Sequence, residues 1–171
     1  MKLSKKMQQA LNEQINAELY SAYIYLSMSA YFEKENLSGF AQWMRMQASE
    51  EQVHAMKIYD YINERGGEVM LTSIAQPKAT WKSPLDVFQE AHKHEQHVTK
   101  LIYNLVNIAK SEDDKATDSF LEWFIDEQVE EEASAEEIVG KLQFINGDPS
   151  GLMFLDEKLG ERQVEEEVTT E

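Results

Sequence analysis

A chain of 171 residues has the length of one domain, able to bury roughly 70% of the surface its unfolded form exposes. It contains no cysteine, which excludes disulfides, thiol redox chemistry and Cys-ligated zinc or iron–sulfur sites, and suits a reducing cytoplasm. Thirty-two acidic residues against 16 basic ones give a formal charge of −16, which repels nucleic acid and attracts cations. The opening MKLSKKMQQALNEQ lacks an apolar signal core, and no apolar run approaches the ~18 residues of a membrane span. The expectation is a soluble cytoplasmic protein with no nucleic-acid or membrane partner.

A first helix is expected from Ser4, its N-cap, to Glu35, with Leu11, Ile15, Leu19, Ala22 and Leu26 at helical spacing. NLSG at 36–39 breaks the chain. The second helix runs from Phe40 to about Arg65 and stops at Gly66 and Gly67. After the connection GGEVMLTSIAQPKATWK, the third helix opens with SPLD at 83–86. Ser83 is its cap, Pro84 holds the first helical position and Asp86 is the acidic member of a capping box. It reaches about Lys110, where SEDD supplies a turn. The fourth helix spans Lys115 to Ile145 and ends at NGDPSG; GLMFLDEKLG, 151–160, reads as a short fifth helix with an apolar face. Residues 1–160 are thus expected to form one domain. ERQVEEEVTTE, 161–171, is acidic and lacks a packing face, so it is expected to be disordered.

Loop length sets the topology. The connections between the first and second and the third and fourth helices are a few residues long, which makes each pair an antiparallel hairpin. The middle connection, about 16 residues, reaches about 50 Å extended against about 40 Å for a 26-residue helix. It can run the length of a bundle and set the third helix parallel to the second. The fold class is all-α: a four-helix bundle with one long crossover and a short C-terminal fifth helix.

Charged residues interrupt these apolar stripes at matching heights. Glu18 lies 19 residues before the first turn, at residue 37, while Glu51 and His54 lie 14 and 17 after it. Glu95 lies 18 before the second turn, at residue 113, and Glu127, Glu130 and Glu131 lie 14, 17 and 18 after it. Glu18 falls between Leu11 and Leu26, Glu95 between Phe88 and Ile102, and Glu127 and Glu130 on the line from Phe120 and Trp123 to Ile138. Glu51 and His54, one turn apart, share a face with Trp43, Met44, Ile58 and Ile62. Carboxylates converging in a core raise one another's pKa and call for cations. A set of carboxylates with one imidazole suits iron or manganese, although zinc competes for it.

These segments resemble the bacterial non-haem ferritins. NEQINAELYSAYIY in the first helix, ASEEQVH in the second, KHEQHV in the third and EWFIDEQVEEE in the fourth are similar to that family's four diiron segments, and the match spans residues 1 to 160. The resemblance implies a ferritin-like fold and iron storage with ferroxidase activity. Glu18, Glu51 and His54 match the first iron site; Glu51 as bridge, with Glu95 and Glu131, matches the second. Glu50, Glu127 and Glu130, with Glu131 shared, match a third, more inward iron site. Tyr25 matches a tyrosine beside the diiron centre and Trp123 an aromatic electron donor. The family oxidises Fe(II) with dioxygen or hydrogen peroxide and stores ferric mineral inside a shell of 24 subunits. The fifth helix resembles the one lining the fourfold axes, and Asp118 falls where acids line the threefold channel.

Departures narrow the subclass. Haem-bearing bacterioferritins carry a methionine beside the bridging glutamate and a Glu-x-x-His in the fourth helix; Gln52 and EQVE stand there instead, so no haem is expected. Rubrerythrins need Cys-ligated iron, and the miniferritins of starved bacteria lack a fifth helix. AHKHEQHVTK is not a zincin motif, because His94 and His97 are three apart rather than four, and His92, His94 and His97 read as surface or supporting residues. Met44, Met46 and Met56 read as core filler. Two other readings stay open on the residues: a cation-binding helical scaffold without turnover, and a diiron peroxidase that stores little iron.

Overall fold

The computed structural model describes residues 2–162. Five helices follow one another: α1 Lys5–Lys34, α2 Ser38–Glu64, α3 Pro84–Ser111, α4 Lys115–Ile145 and α5 Pro149–Gly160. Their ends obey the local chemistry. The Ser4 hydroxyl accepts from the Met7 N–H at 3.0 Å. Ser83 accepts from the Asp86 N–H at 3.2 Å, and Asp86 returns the bond to the Lys82 N–H at 3.0 Å, one residue earlier than a standard capping box. Asn36, Asp113 and Asn146 take the left-handed conformation at the three tight breaks, a role that short polar side chains tolerate. α5 starts two residues before the expected position, with Asp148 as cap and Pro149 in its first turn.

α1 packs on α2, α3 on α4, and α1 on α3. α3 runs antiparallel to α1, since Ser21 meets His94 and Phe32 meets Phe88. It is therefore parallel to α2, as the loop lengths require. The crossover is bonded along one face of α1. Gln8 Oε1 accepts from the Glu68 N–H at 3.0 Å, Asn12 Oδ1 accepts from the Met70 N–H at 2.7 Å, and Asn16 Nδ2 donates to the Ser73 carbonyl at 3.1 Å. Their four-residue spacing keeps these side chains on one stripe of the helix.

Two apolar cores fill the bundle. One gathers Met28, Phe32, Phe40, Met44, Phe88 and Leu142; the other gathers Met7, Leu11, Ile15, Ile62, Ile102 and Leu121. Polar residues separate them. The structure shifts three register assignments. Leu26 is exposed and Tyr25 buried, because a residue eight positions from Glu18 sits about 80° round a helix, whereas one seven away sits about 20° round. On α4 the core line is Leu121, Phe124, Gln128, Glu131, Ala135, Ile138 and Leu142, one position on from the expected line through Phe120, Trp123, Glu127 and Glu130. Met56 lies on the surface instead of filling the core. No described helix is long and apolar enough to cross a membrane.

α5 folds back onto the start of α2 and closes it. Leu37 offers α2 no side-chain cap; Asp156 Oδ1 supplies one from α5, accepting from the Phe40 N–H at 2.9 Å. Gly39 makes the approach possible, since a Cβ there would lie 1.6 Å from the Asp156 carbonyl oxygen. Within the proposed tail, Glu161 and Arg162 belong to the described structure, with Arg162 docked on α2; positions 163–171 lie outside the described residues. Gly39→Ala is expected to push α5 off α2 and open the 146–149 link to limited proteolysis. Asp156→Ala should lower the thermal midpoint through loss of a cap worth about 1–2 kcal/mol while leaving α5 docked. An unchanged cleavage pattern for Gly39→Ala would refute this account of α5.

Candidate metal centre

The polar layer between the two cores is built by one or two residues from each long helix. α1 contributes Glu18, α2 Glu51 and His54, α3 Glu95 and α4 Glu131, and all five are buried. One ligand atom from each of Glu18, Glu51 and His54 lies within 4.8 Å of the others; His54, Glu127 and Glu131 form a second such group. His54 Nδ1 is 3.3 Å from Glu51 Oε2, and its Nε2 is 3.9 Å from Glu127 Oε2. Space for this layer comes from the helix spacing. Among the described residues α2 and α4 have no Cα atoms within 8 Å of each other, so they meet only through side chains.

Three of the four acids are oriented by a neighbour's hydrogen bond. Gln14 Nε2 donates to Glu18 Oε1 at 2.8 Å, and Gln47 Nε2 donates to Glu131 Oε2 at 2.6 Å. The Tyr25 hydroxyl donates to Glu95 Oε1, and Gln128 Nε2 donates to Glu95 Oε2 at 3.3 Å. Among the described residues no nitrogen or hydroxyl donor reaches the buried Glu18 Oε2 or Glu51 Oε2, and the two carboxyls meet each other. A carboxylate oxygen left unpaired in a core costs several kcal/mol, so the Glu18–Glu51 contact holds while a proton bridges the two carboxyls, and a cation is the partner that could replace that proton. Carboxylate oxygens with one imidazole are hard to borderline donors, the set that suits ferrous and ferric iron.

Electrostatics separate the members of the layer. Burial pushes all four carboxyls up: Glu18 above its usual range, Glu51 well above it with help from Glu95, Glu95 to about 7 and Glu131 to about 8. Burial, reinforced by the Lys57 charge, lowers His54 to about 4, so near neutrality the ring is the uncharged imidazole that binds metals. Tyr25 is raised well above 10.0, by burial and then by Glu95, and remains a donor.

The remaining expected residues lie around this layer. Glu127 is half-buried, Glu130 exposed, and both line a cavity of about 310 Å³ with Glu50 and Glu131. Trp123 sets its ring perpendicular to His54 with centroids 5.3 Å apart, and Lys57 Nζ lies 4.2 Å over the Trp123 ring. Among the described residues His94 joins no metal-ligand group; its Nε2 lies 2.7 Å from the Ser21 hydroxyl. Asp118 sits half-buried in the first turn of α4. Sequence reasoning missed Gln14, Gln47 and Gln128. Their signal was available: each is a polar residue at core register, four before Glu18, four before Glu51 and three before Glu131.

An acidic, imidazole-bearing layer at the waist of a four-helix bundle defines a metal-handling helical protein. The Ferritin family, described by its ferritin-like domain, matches residues 8–145. The chain is 49% identical over 160 residues to the bacterial non-heme ferritin of Bacteroides fragilis (strain 638R), covering 94% of this chain and 99% of that one. It is 44% identical over 165 residues to that of Staphylococcus aureus (strain MRSA252), covering 96% and 99%. A novel open pore ferritin from the hyperthermophilic archaeon Archaeoglobus fulgidus aligns with a TM-score of 0.94 at 53% identity, covering 94% of this chain and 99% of its own. A closed form of the Archaeoglobus fulgidus ferritin, engineered by site-directed mutagenesis, gives 0.94 at 52%, covering 95% and 99%. The chain belongs to the ferritin family of iron-storage proteins.

The raised carboxyls predict an unusual pH dependence for the metal-free protein. A carboxyl whose folded pKa exceeds its unfolded value of 4.5 stabilises the fold fully below 4.5 and loses that contribution as pH rises through 7 for Glu95 and 8 for Glu131. His54 has the opposite sign: its contribution is lost as pH falls from 6.5 towards 4, so above 6.5 it is complete. The thermal midpoint of metal-free protein should therefore fall between about pH 6.5 and 8, and two equivalents of Zn(II) per subunit should restore it. Scanning calorimetry in chelated buffer checks this; a flat or rising midpoint over that interval would contradict the assigned charge states.

Proposed function

We propose that this chain is a ferroxidase that oxidises Fe(II) at an intra-subunit pair of sites and stores the ferric product as mineral inside a closed shell of identical subunits. The observation that carries this reading is the pair of buried carboxyl oxygens, Glu18 Oε2 and Glu51 Oε2, that no described nitrogen or hydroxyl donor satisfies, beside the neutral imidazole of His54. Glu18, Glu51 and His54 would receive one ferrous ion; Glu51, Glu95 and Glu131 would receive the second, with Glu51 shared. Each ferrous ion gives up one electron, and dioxygen or hydrogen peroxide takes up the pair. Holding both donors in one layer makes a two-electron acceptor reducible in a single encounter.

The protein's own groups prepare this exchange. Carboxyls with raised pKa hold protons in the empty layer at and below neutral pH, so cation binding there releases protons. Gln14, Gln47 and Gln128 hold their acids in place by hydrogen bonds, which fixes the spacing of the sites. Tyr25 would stand beside the pair, hydrogen-bonded to Glu95, and Trp123, against His54, would be the aromatic electron donor. Glu50, Glu127 and Glu130 would take a third ion on its way inward, and Asp118 would help draw ions through a threefold channel. The reading places the protein in the cytoplasm.

Assembly is supported by surface chemistry. Phe144, Met153 and Phe154 are exposed beside an apolar groove of about 500 Å³ formed by the end of α4 and α5, the kind of surface that symmetry mates bury. Twenty-four subunits is the number proposed, and electron microscopy of the purified protein tests it, including whether the shell's pores are open or closed.

Stopped-flow oxidation of two Fe(II) per subunit in air decides the chemistry. His54→Ala is expected to slow the fast phase by at least the roughly 10–100-fold typical of losing even an outer partner of a metal ligand, with helical content retained. His97→Ala, on the exposed face of α3, should leave it unchanged. Equal rates in intact protein, His54→Ala and buffer would leave a scaffold that binds cations without turnover.

A further inference from the structure

Outside the buried layer, the cavity of about 310 Å³ between α2 and α4 already contains a cation. Its lining includes Trp43, Glu50, Glu127, Glu130, Glu131 and Arg162. Arg162 lies two residues beyond α5 and reaches back to α2. Its Nη2 donates to Glu50 Oε2 at 2.7 Å, its Nη1 donates to Gln47 Oε1, and its Cζ stands 4.9 Å from the centre of the Trp43 ring. Gln47 uses its other end to donate to Glu131 Oε2 at 2.6 Å. One always-protonated guanidinium therefore sits directly on an acid of the proposed third iron site, and one buried amide away from an acid of the proposed pair.

We propose that Arg162 is a displaceable stand-in for the third metal ion: it occupies the inner acidic cavity and must leave Glu50 before a cation can bind there. It thereby sets the affinity of that site and the ease with which iron moves out of the buried pair. The proposal rests on the iron-handling reading above.

The geometry favours exchange over permanent pairing. Arg162 grips Glu50 through one nitrogen only, its second going to a neutral amide, so the two-pronged carboxylate pairing that makes arginine bridges strong is not made. The side chains of Arg162 and Glu50 are 27% and 28% exposed, so water screens the pair. Because Arg162 lies past Gly160, it can swing away without unwinding a helix. Stacking on Trp43 gives it a defined place to return to. A metal ion and a guanidinium on the same carboxylate repel each other, so occupancy is exclusive.

Calorimetric titration of the full metal-free protein with redox-inert Zn(II) tests this in the native chain, Arg162→Ala and Arg162→Lys. Two tight ions per subunit are expected in all three proteins. The third ion should bind about tenfold tighter in Arg162→Ala, as removal of one screened unit charge implies, and near the native value in Arg162→Lys. An unchanged third affinity in Arg162→Ala, an equal gain at every site, or a lysine variant indistinguishable from the alanine variant would overturn the proposal. Two tight ions and no third in any of the proteins would overturn it while leaving the paired site standing. A native chain that takes up no tight pair would overturn the iron reading and this proposal together.

Discussion

The constraint from which this structure follows is the cost of a carboxylate in an apolar core. Glu18, Glu51, Glu95 and Glu131 occupy positions where leucine or isoleucine would pack, and all four are buried. Without metal the layer survives because its acids keep protons and lean on glutamines and a tyrosine. Such a layer weakens the isolated fold, so the apolar blocks on either side must hold the helices at fixed separation. Stability in this bundle therefore resides at its two ends, and chemistry in its middle.

Polarity is graded outward from that middle. The core line of α4 carries Glu131, while Glu127 and Glu130 stand on its flank, half-buried and exposed. α2 repeats the pattern with buried Glu51 beside half-buried Glu50. Neighbours in sequence thus face different dielectric surroundings, because successive helical residues turn by about 100°. On the proposed reading, an ion moving from the core line to the flank would meet less desolvation and looser pairing at each step. The fold supplies direction without any moving helix.

Much of this was legible in the sequence. Helix limits came within about two residues because caps and breakers act locally: Ser4, Ser83 with Pro84, Gly66 and Gly67 each settle one end by their own backbone chemistry. Matching heights of Glu18, Glu51, His54, Glu95 and Glu131 follow from turn positions alone. Which neighbour faces inward was harder. Leu26 and Tyr25 differ by one residue, and a seven-residue repeat and an eight-residue repeat look alike until the 3.6-residue turn is followed along the helix. Contacts between distant residues carried almost no local signal. Asp156 capping α2 from α5, and Arg162 returning to Gln47 and Glu50, span more than a hundred residues of chain and depend on tertiary geometry.

The polar waist also works as an alignment mark. Apolar stripes on long helices are nearly periodic, so a hairpin displaced by one helical turn, about 5.4 Å, would still bring leucines opposite leucines. The acids remove that degeneracy. Any such slip would carry Glu18 or Glu95 one turn away from its partners, towards the apolar block on one side of the layer or the other, stranding a carboxylate at a cost of several kcal/mol. The residues proposed to receive iron therefore also tell four otherwise repetitive helices where to stop sliding.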